Sequence, residues 1–201
     1  MQLTIPELAL VVLIGPSGAG KSTFARTHFR PTETLSSDFC HGLVADDEND
    51  QSATPDAFDV LHYSASKRLA AGRLTVIDAT NVQAEARKSL LTLARAHHVL
   101  AAAIVFNLPE PLCHERNQTR PDRNFGPHVI RHQMKDLRRS LRGLRREGFQ
   151  YIFTFDAPEQ VAAAVVTRQP LLQTAAGRFS DSHLLDVWQV ADRKGSASNE
   201  I

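Results

Sequence analysis

The stretch Gly15-Pro16-Ser17-Gly18-Ala19-Gly20-Lys21-Ser22 decides the fold class. It follows an apolar run from Leu8 to Ile14 and leads into a helix-compatible segment that begins near Thr23. Glycines let a backbone wrap closely around an anion, and the helix that follows adds the positive end of its dipole. A plain glycine-rich turn is the alternative. Because both flanks fit, the pattern predicts a phosphate-binding loop.

The loop assigns separate tasks to its residues. Lys21 is expected to reach the terminal phosphates of a nucleotide, and Ser22 is expected to offer its hydroxyl to a Mg²⁺ ion that bridges them. The predicted nucleotide contacts in this segment are Gly15, Ser17, Gly18, Ala19, Gly20, Lys21, Ser22 and Thr23.

Length and composition are those of one globular domain with a tail. The chain has 201 residues, of which 42% are hydrophobic. The expected division is a domain over residues 1–170 and a C-terminal tail over 171–201, partly helical or disordered. The longest apolar runs are too short to cross a membrane, and the first residues lack the basic region of an export signal, so we expect a cytoplasmic protein.

Charge is unevenly distributed along the chain. The net charge is only +1, yet ten Arg or Lys and two Asp lie between Arg116 and Arg146. Such a basic segment attracts the phosphates of a nucleotide or of a nucleic-acid strand, and the alternative is a solvated helix face.

Five apolar runs, each read as a strand, alternate with helical patterns. This alternation predicts an α/β fold with a mostly parallel five-stranded sheet and helices on both faces. Its ligands should bind at the carboxyl edge of the strands. The last helix is expected to start with a capping box on Asp156 and to run to Arg168. The predicted strands are Leu8 to Ile14, Glu33 to Ser36, Leu74 to Asp78, Val99 to Phe106 and Tyr151 to Phe155.

Two aspartates end predicted strands at that edge. Asp38 follows the second strand and could accept a proton from an attacking hydroxyl, or it could cap a helix or turn. Asp78 ends the third strand and could hold Mg²⁺ or its waters, or it could anchor the phosphate loop. Asn81 then either positions a substrate or caps the following helix.

Three arginines form a candidate lid. Arg116, Arg120 and Arg123 are spaced by four and three residues, and Pro121 ends or bends the helix there. On a movable segment they could close over the triphosphate, or they could form surface salt bridges.

Together these segments resemble the 5′-hydroxyl polynucleotide kinase domain of bacterial polynucleotide kinase-phosphatases. The resemblance covers about Leu3 to Pro170. Beyond the phosphate loop it rests on Ser36 to Cys40, Asp46 to Gln51, Ala57 to Tyr63, Val76 to Val82 and Arg116 through Arg123.

The resemblance implies a phosphate-loop kinase fold and transfer of the γ-phosphate of ATP, with Mg²⁺, to the 5′-hydroxyl of DNA or RNA in end repair. Phosphatase and ligase partners would complete such a repair. Asp38 would be the general base, Ser22 and Asp78 the metal residues, Lys21 and Arg123 catalytic, and Arg116 and Arg120 further ATP contacts in the lid.

Two departures from the family pattern stand out. His41 replaces the arginine that usually grips the acceptor, although it could still donate a hydrogen bond. The phosphatase signature Gly-Asp-x-His-Gly is missing after Pro170, so no phosphatase activity is expected. A kinase of a small hydroxyl metabolite and a non-catalytic ATP-dependent nucleic-acid-binding module are the competing hypotheses.

Overall fold

Strand β2 (Ala9–Ile14) is buried along its whole length in the computed structural model, which describes residues 1–119 and 126–170. A strand that is covered on both faces has a continuous run of apolar residues, and the sequence of β2 is apolar throughout. The remaining strands are β1 (Gln2–Pro6), β3 (Thr34–Ser36), β4 (Thr75–Asp78), β5 (Leu100–Phe106), β6 (Tyr151–Phe155) and β7 (Val165–Gln169).

Eight α-helices accompany these strands in the described residues. Short 3₁₀ turns cover Pro31–Glu33, Gln51–Ala53 and Leu141–Gly143. The α-helices are α1 (Lys21–His28), α2 (Ser37–Ala45), α3 (Thr54–Ala70), α4 (Ala84–Ala96), α5 (Glu110–Gln118), α6 (Pro127–Ser140), α7 (Leu144–Glu147) and α8 (Pro158–Ala162).

The main sheet has five strands in the order β3-β4-β2-β5-β6, and each neighbouring pair is parallel. These are the five strands that the sequence predicts, so the predicted fold class is confirmed. Asp78 lies opposite Ser36 on one side and Leu13 on the other. The carboxyl ends of β2, β3 and β4 therefore meet at one edge.

Alternating side chains of β2 feed two hydrophobic cores, as the two-residue period of a strand requires. Val11 and Leu13 join a core that includes residues of α1, α5 and α6. Leu10, Val12 and Ile14 join a second core that includes residues of α3 and α4. The sheet thus carries helices on both faces.

The prediction of a final helix to Arg168 is wrong. Helix α8 ends at Ala162, and β7 then pairs in parallel with β1 in a separate two-stranded sheet. The capping box on Asp156 also does not form: Ala157 occupies the N-cap position, and the Asp156 N–H donates to Gln160 Oε1 at 2.8 Å. The β-branched run from Val165 to Thr167 is the strand signal that outweighs the preceding alanines.

Two predicted features lie outside the described residues, namely the tail at 171–201 and most of the lid at 120–125. In the part of the chain that is described, no helix combines the length and apolar character that a membrane crossing requires.

Candidate active site

The phosphate loop lies between β2 and α1 and packs against α5. Gly18 has a φ of 78°, and a Cβ atom there would overlap the carbonyl oxygen of Cys113 in α5. The Gly15 N–H donates to the carbonyl oxygen of Thr80 at 2.9 Å. Glycine is therefore required at position 18 both by backbone conformation and by the close approach of α5.

Lys21 begins α1 and is buried, with 8% of its surface exposed. Its ammonium group donates to the carbonyl oxygens of Gly15 and Pro16, both at 2.9 Å. The ammonium group thus lies against its own loop. This is where the sequence pattern predicts the terminal phosphates of a nucleotide.

Asp78 lies beside this lysine at the end of β4 and is also buried. Ser22, the residue after Lys21, lies near the Asp78 carboxylate. Burial raises the pKa of Asp78 and the nearby Asp38 charge raises it further, whereas Lys21, Ser22 and Arg26 oppose that rise. Four residues of the predicted site, Lys21, Ser22, Asp38 and Asp78, therefore lie near one another.

The Ser22–Asp78 pair fits a Mg²⁺ ion that also binds phosphates. Mg²⁺ prefers oxygen ligands and usually takes one or two protein groups while waters and phosphates complete its shell. A neighbouring hydroxyl and carboxylate supply such groups. Residues 1–119 and 126–170 contain no cluster of three or more His, Cys, Asp or Glu placed to hold a metal by themselves.

Asp38 occupies the first turn of α2, a helix that the sequence analysis did not predict. Ser36 caps this helix by accepting the Phe39 N–H at 3.4 Å, and Ser37 Oγ donates to Asp38 Oδ1 at 3.4 Å. Since Ser36 is opposite Asp78 in the sheet, the cap places Asp38 within electrostatic reach of Asp78.

His41 is buried one turn after Asp38, with 3% of its surface exposed. Its Nδ1 pairs with the carbonyl oxygen of Ser37 at 2.7 Å, and its Nε2 pairs with the Thr54 hydroxyl at 3.1 Å. His41 thereby joins α2 to the start of α3. Contact between His41 and an acceptor would require exchange of one of these hydrogen bonds.

Asn81 lies in the turn after β4 with a φ of 48°, a left-handed conformation that asparagine adopts more readily than most residues. Its Nδ2 donates to the carbonyl oxygen of Leu13 at 2.9 Å. This bond ties the ends of β4 and β2 together next to the phosphate loop.

Arg116 is the one predicted lid arginine among the described residues. It is exposed at the end of α5, and a Cβ atom on Gly20 would lie 3.5 Å from Arg116 Nη1. Its guanidinium group is therefore next to the phosphate loop. Arg120 and Arg123 lie outside the described residues.

Gln133 is a site residue that the sequence analysis missed. The Ser17 N–H of the phosphate loop donates to Gln133 Oε1 at 2.8 Å, so α6 contacts the loop directly. A cavity of about 620 Å³ opens between this helix and the turn after β4, lined by residues that include Asn81, Gln83, His128, His132 and Gln133. A glutamine among helical polar residues carries no sequence signal for this contact.

A protein-family model described as an AAA domain matches residues 10–144. No curated protein sequence is significantly similar to the chain. Among solved structures, one from the Pnkp1/Rnl/Hen1 RNA repair complex has a TM-score of 0.60 at 19% identity. The match covers 69% of this chain and 46% of that one, so the chain spans less than half of that relative.

Two further structures share the fold over nearly their whole length. A Chloroflexus aurantiacus J-10-fl protein proposed to be a kinase has a TM-score of 0.54 at 14% identity, covering 92% of this chain and 98% of that chain. Chaetomium thermophilum Kti12 with ADP-AlF3 has a TM-score of 0.51 at 16% identity, and the match covers 76% of this chain and 93% of that chain. The chain belongs to the AAA-domain family whose model it matches and has a phosphate-loop, kinase-like fold.

Proposed function

We propose that this protein transfers the γ-phosphate of ATP to the 5′-hydroxyl end of DNA or RNA. The observation that carries the proposal is the position of Asp38, two residues after Ser36, which is opposite Asp78 in the sheet. Asp78 interacts electrostatically with Asp38 and also with Lys21 at the end of the phosphate loop. A carboxylate at this place can act on a hydroxyl that approaches the terminal phosphate.

The donor half of the reaction uses the phosphate loop. Its backbone N–H groups and Lys21 bind the phosphates, and Arg116 adds positive charge from the end of α5. Ser22 and Asp78 would hold Mg²⁺, which when bound neutralises charge on the β- and γ-phosphates. Arg120 and Arg123, which lie outside the described residues, complete the lid in this proposal, Arg120 as an ATP contact and Arg123 as a catalytic residue.

The acceptor half uses Asp38 as general base. The 5′-hydroxyl oxygen bonds to the γ-phosphorus while the bond from that phosphorus to the β,γ-bridging oxygen breaks, and ADP leaves. The hydroxyl proton passes to the Asp38 carboxylate. Asn81 lines the cavity beside the loop and is proposed to position the acceptor, whereas His41 must exchange a hydrogen bond before it can contribute.

The structural comparisons support this proposal at the level of the fold. The Pnkp1 relative comes from an RNA repair complex, and Kti12 was solved with a nucleotide analogue. By analogy we propose ATP as donor, residues 1–170 as the kinase unit, and phosphatase and ligase activities as its partners in end repair.

The test is transfer from γ-labelled ATP to matched acceptors. DNA and RNA oligonucleotides of one sequence are offered with a 5′-hydroxyl and, as controls, with a 5′-phosphate that removes the acceptor group. We expect label only on the 5′-hydroxyl strands and only with Mg²⁺ present. Nuclease digestion of the product should place the label on the 5′-terminal nucleotide.

Other outcomes select the competing functions. Label on a small hydroxyl compound and on no oligonucleotide would replace the proposal with a metabolite kinase of the same fold. ATP-dependent binding of the oligonucleotide without any turnover would indicate a non-catalytic binding module.

A further inference from the structure

The outer face of α6 and the turns that follow it is uniformly basic. An apolar stripe at intervals of four and three residues, from Ile130 to Leu144, faces the protein core. One position after each member of that stripe lies an exposed basic residue. We call these five residues the basic stripe: Arg131, Lys135, Arg138, Arg142 and Arg145.

Little negative charge compensates the basic stripe within the described residues. One ion pair involves it, between Arg131 Nε and Glu110 Oε1 at 3.6 Å. Two acidic side chains belong to the same helical run: Glu147 pairs with buried Arg87 at 2.6 Å, and Asp136, which accepts from the neutral Gln83 amide at 3.0 Å, leaves a single negative charge among the basic residues. Exposed Arg139 and Arg146 add to the same positive field.

A face that only solvates a helix normally mixes opposite charges, because like charges three or four residues apart destabilise it. The basic stripe repeats like charges at that spacing on successive turns. The helix dipole favours cations in the last turn of α6, but Arg131 and Lys135 lie before that turn. A bound polyanion would relieve this repulsion along the whole stripe.

The stripe begins near the residue of α6 that contacts the phosphate loop. Arg131 is two residues from Gln133, whose Oε1 accepts the Ser17 N–H, and Arg138, the last stripe residue within α6, lies about 10 Å further along at 1.5 Å per residue. One strand of a duplex carries about three phosphates over that length, and Arg142 and Arg145 follow in the next turns. Helical spacing places Gln133 on roughly the opposite side of α6 from the stripe, so a bound strand would lie along the outer side of the helix whose inner side contacts the phosphate loop.

We propose that the basic stripe binds the phosphate backbone of the nucleic acid whose 5′ end is phosphorylated. The proposal rests on the proposed function and makes the acceptor a strand rather than a small molecule. A membrane surface fits less well, because interfacial helices place large apolar residues beside their basic face. The exposed large apolar residues of the described chain all lie before Ser64 or at Val165, outside this helical run.

The test compares two variants that each remove three charges. Arg138→Gln/Arg142→Gln/Arg145→Gln removes part of the stripe, and Lys67→Gln/Arg73→Gln/Lys88→Gln removes three exposed charges from α3, α4 and the turn after α3. Binding of a 5′-hydroxyl oligonucleotide with a 3′ fluorophore is followed by fluorescence anisotropy at several salt concentrations without ATP. Thermal melting verifies that each variant is folded, and single Arg142→Gln serves if the triple variant is not.

We expect the stripe variant to bind the oligonucleotide about tenfold more weakly and to lose about 2 from the slope of log affinity against log salt. The control should match the wild type. Equal affinities for all three proteins would overturn the proposal, as would wild-type binding to anionic vesicles but not to the oligonucleotide. Stripe-dependent binding without any labelling would refute the proposed function alone, and labelling with unchanged binding would refute the stripe alone.

Discussion

Asp78 is a buried carboxylate whose pKa is raised mainly by desolvation. Since a raised pKa means that the folded protein binds the proton more tightly than the unfolded chain, ionised Asp78 reduces stability as the pH rises above the ordinary aspartate value. Asp78→Asn removes the charge and keeps an oxygen that can accept from Ser22. We therefore predict a higher melting temperature than wild type at neutral pH without Mg²⁺.

The pH dependence supplies the control for this prediction. The advantage of Asp78→Asn should shrink as the pH falls through the raised pKa of folded Asp78 towards the ordinary aspartate value, below which the folded and the unfolded protein both bind the proton. Saturating Mg²⁺ and ATP should stabilise the wild type more than the variant. An equal melting difference at every pH would contradict the role assigned to desolvation.

Sequence was a good guide to which residues gather at the site and a poor guide to their partners. Asp38 and Asp78 follow strands of a parallel sheet, and such strand ends share one edge. The hydrogen bond between His41 and Thr54 instead joins two helices, and Thr54 lies 13 residues away in the chain. No local pattern specifies such a contact.

At the scale of elements, a buried ion pair joins α4 to α7. Arg87 is fully buried, and its Nε and Nη2 donate to the two carboxylate oxygens of Glu147 at 2.7 and 2.6 Å. Its Nη1 donates to the carbonyl oxygen of Asn81 at 2.7 Å. The pair therefore supports the turn that carries Asn81 beside the phosphate loop.

We predict that Arg87→Ala lowers the free energy of unfolding by about 3–5 kcal/mol, since it leaves the Glu147 carboxylate without its partner. Lys88→Ala is the matched control, because Lys88 is the next residue and its contact with Glu85 is exposed. That change should stay within about 0.5 kcal/mol of wild type. Chemical denaturation measures both, and similar losses would refute the special role of Arg87.

The element errors have two different physical causes. Helix α2 was missed because its start, Ser37-Asp38, resembles a loop, and its capping by Ser36 depends on where β3 ends. The alanines before Val165 favour the predicted helix to Arg168, whereas pairing with β1 provides the hydrogen bonds of a strand over Val165–Gln169. In both segments the local structure depends on strand pairing between residues that are far apart in the chain.

At the scale of the whole molecule, an ion pair joins the small sheet to the segment before β3. Arg168 of β7 donates from Nη1 and Nη2 to both carboxylate oxygens of Glu33 at 2.8 Å. Burial raises the pKa of Glu33, but hydrogen bonds from Arg168 and Arg30 and their charges outweigh it, so the net pKa is lowered. The pair therefore stabilises the fold at pH values above the ordinary glutamate pKa. This stabilisation is lost as the pH falls through the lowered pKa of Glu33 in the folded protein.

Arg168→Gln should therefore lower the free energy of unfolding by about 1–2 kcal/mol at neutral pH, because Arg168 is one-third exposed and water screens the pair. Denaturant titrations at neutral and acidic pH measure the loss, which should fade in acid. A loss that is constant across this range would show that Glu33 is not its source.

The global architecture was predictable because five strands separated by helical patterns admit few arrangements. The acceptor side was less predictable, since it depends on how α2, α6 and the turn at Asn81 approach one another. The charges of the basic stripe are visible in the sequence. That they share one exposed face follows from the structure, in which the neighbouring apolar residues are buried.

The role of Asp38 in phosphoryl transfer is tested by single-turnover transfer of labelled γ-phosphate to a 5′-hydroxyl oligonucleotide by wild type and Asp38→Asn, with ATP affinity measured on the same samples. We predict that the variant binds ATP normally and that its transfer rate falls by about 10²- to 10⁴-fold, the usual contribution of a general base. Unchanged transfer by Asp38→Asn, or no transfer to the oligonucleotide by the wild type, would contradict this role.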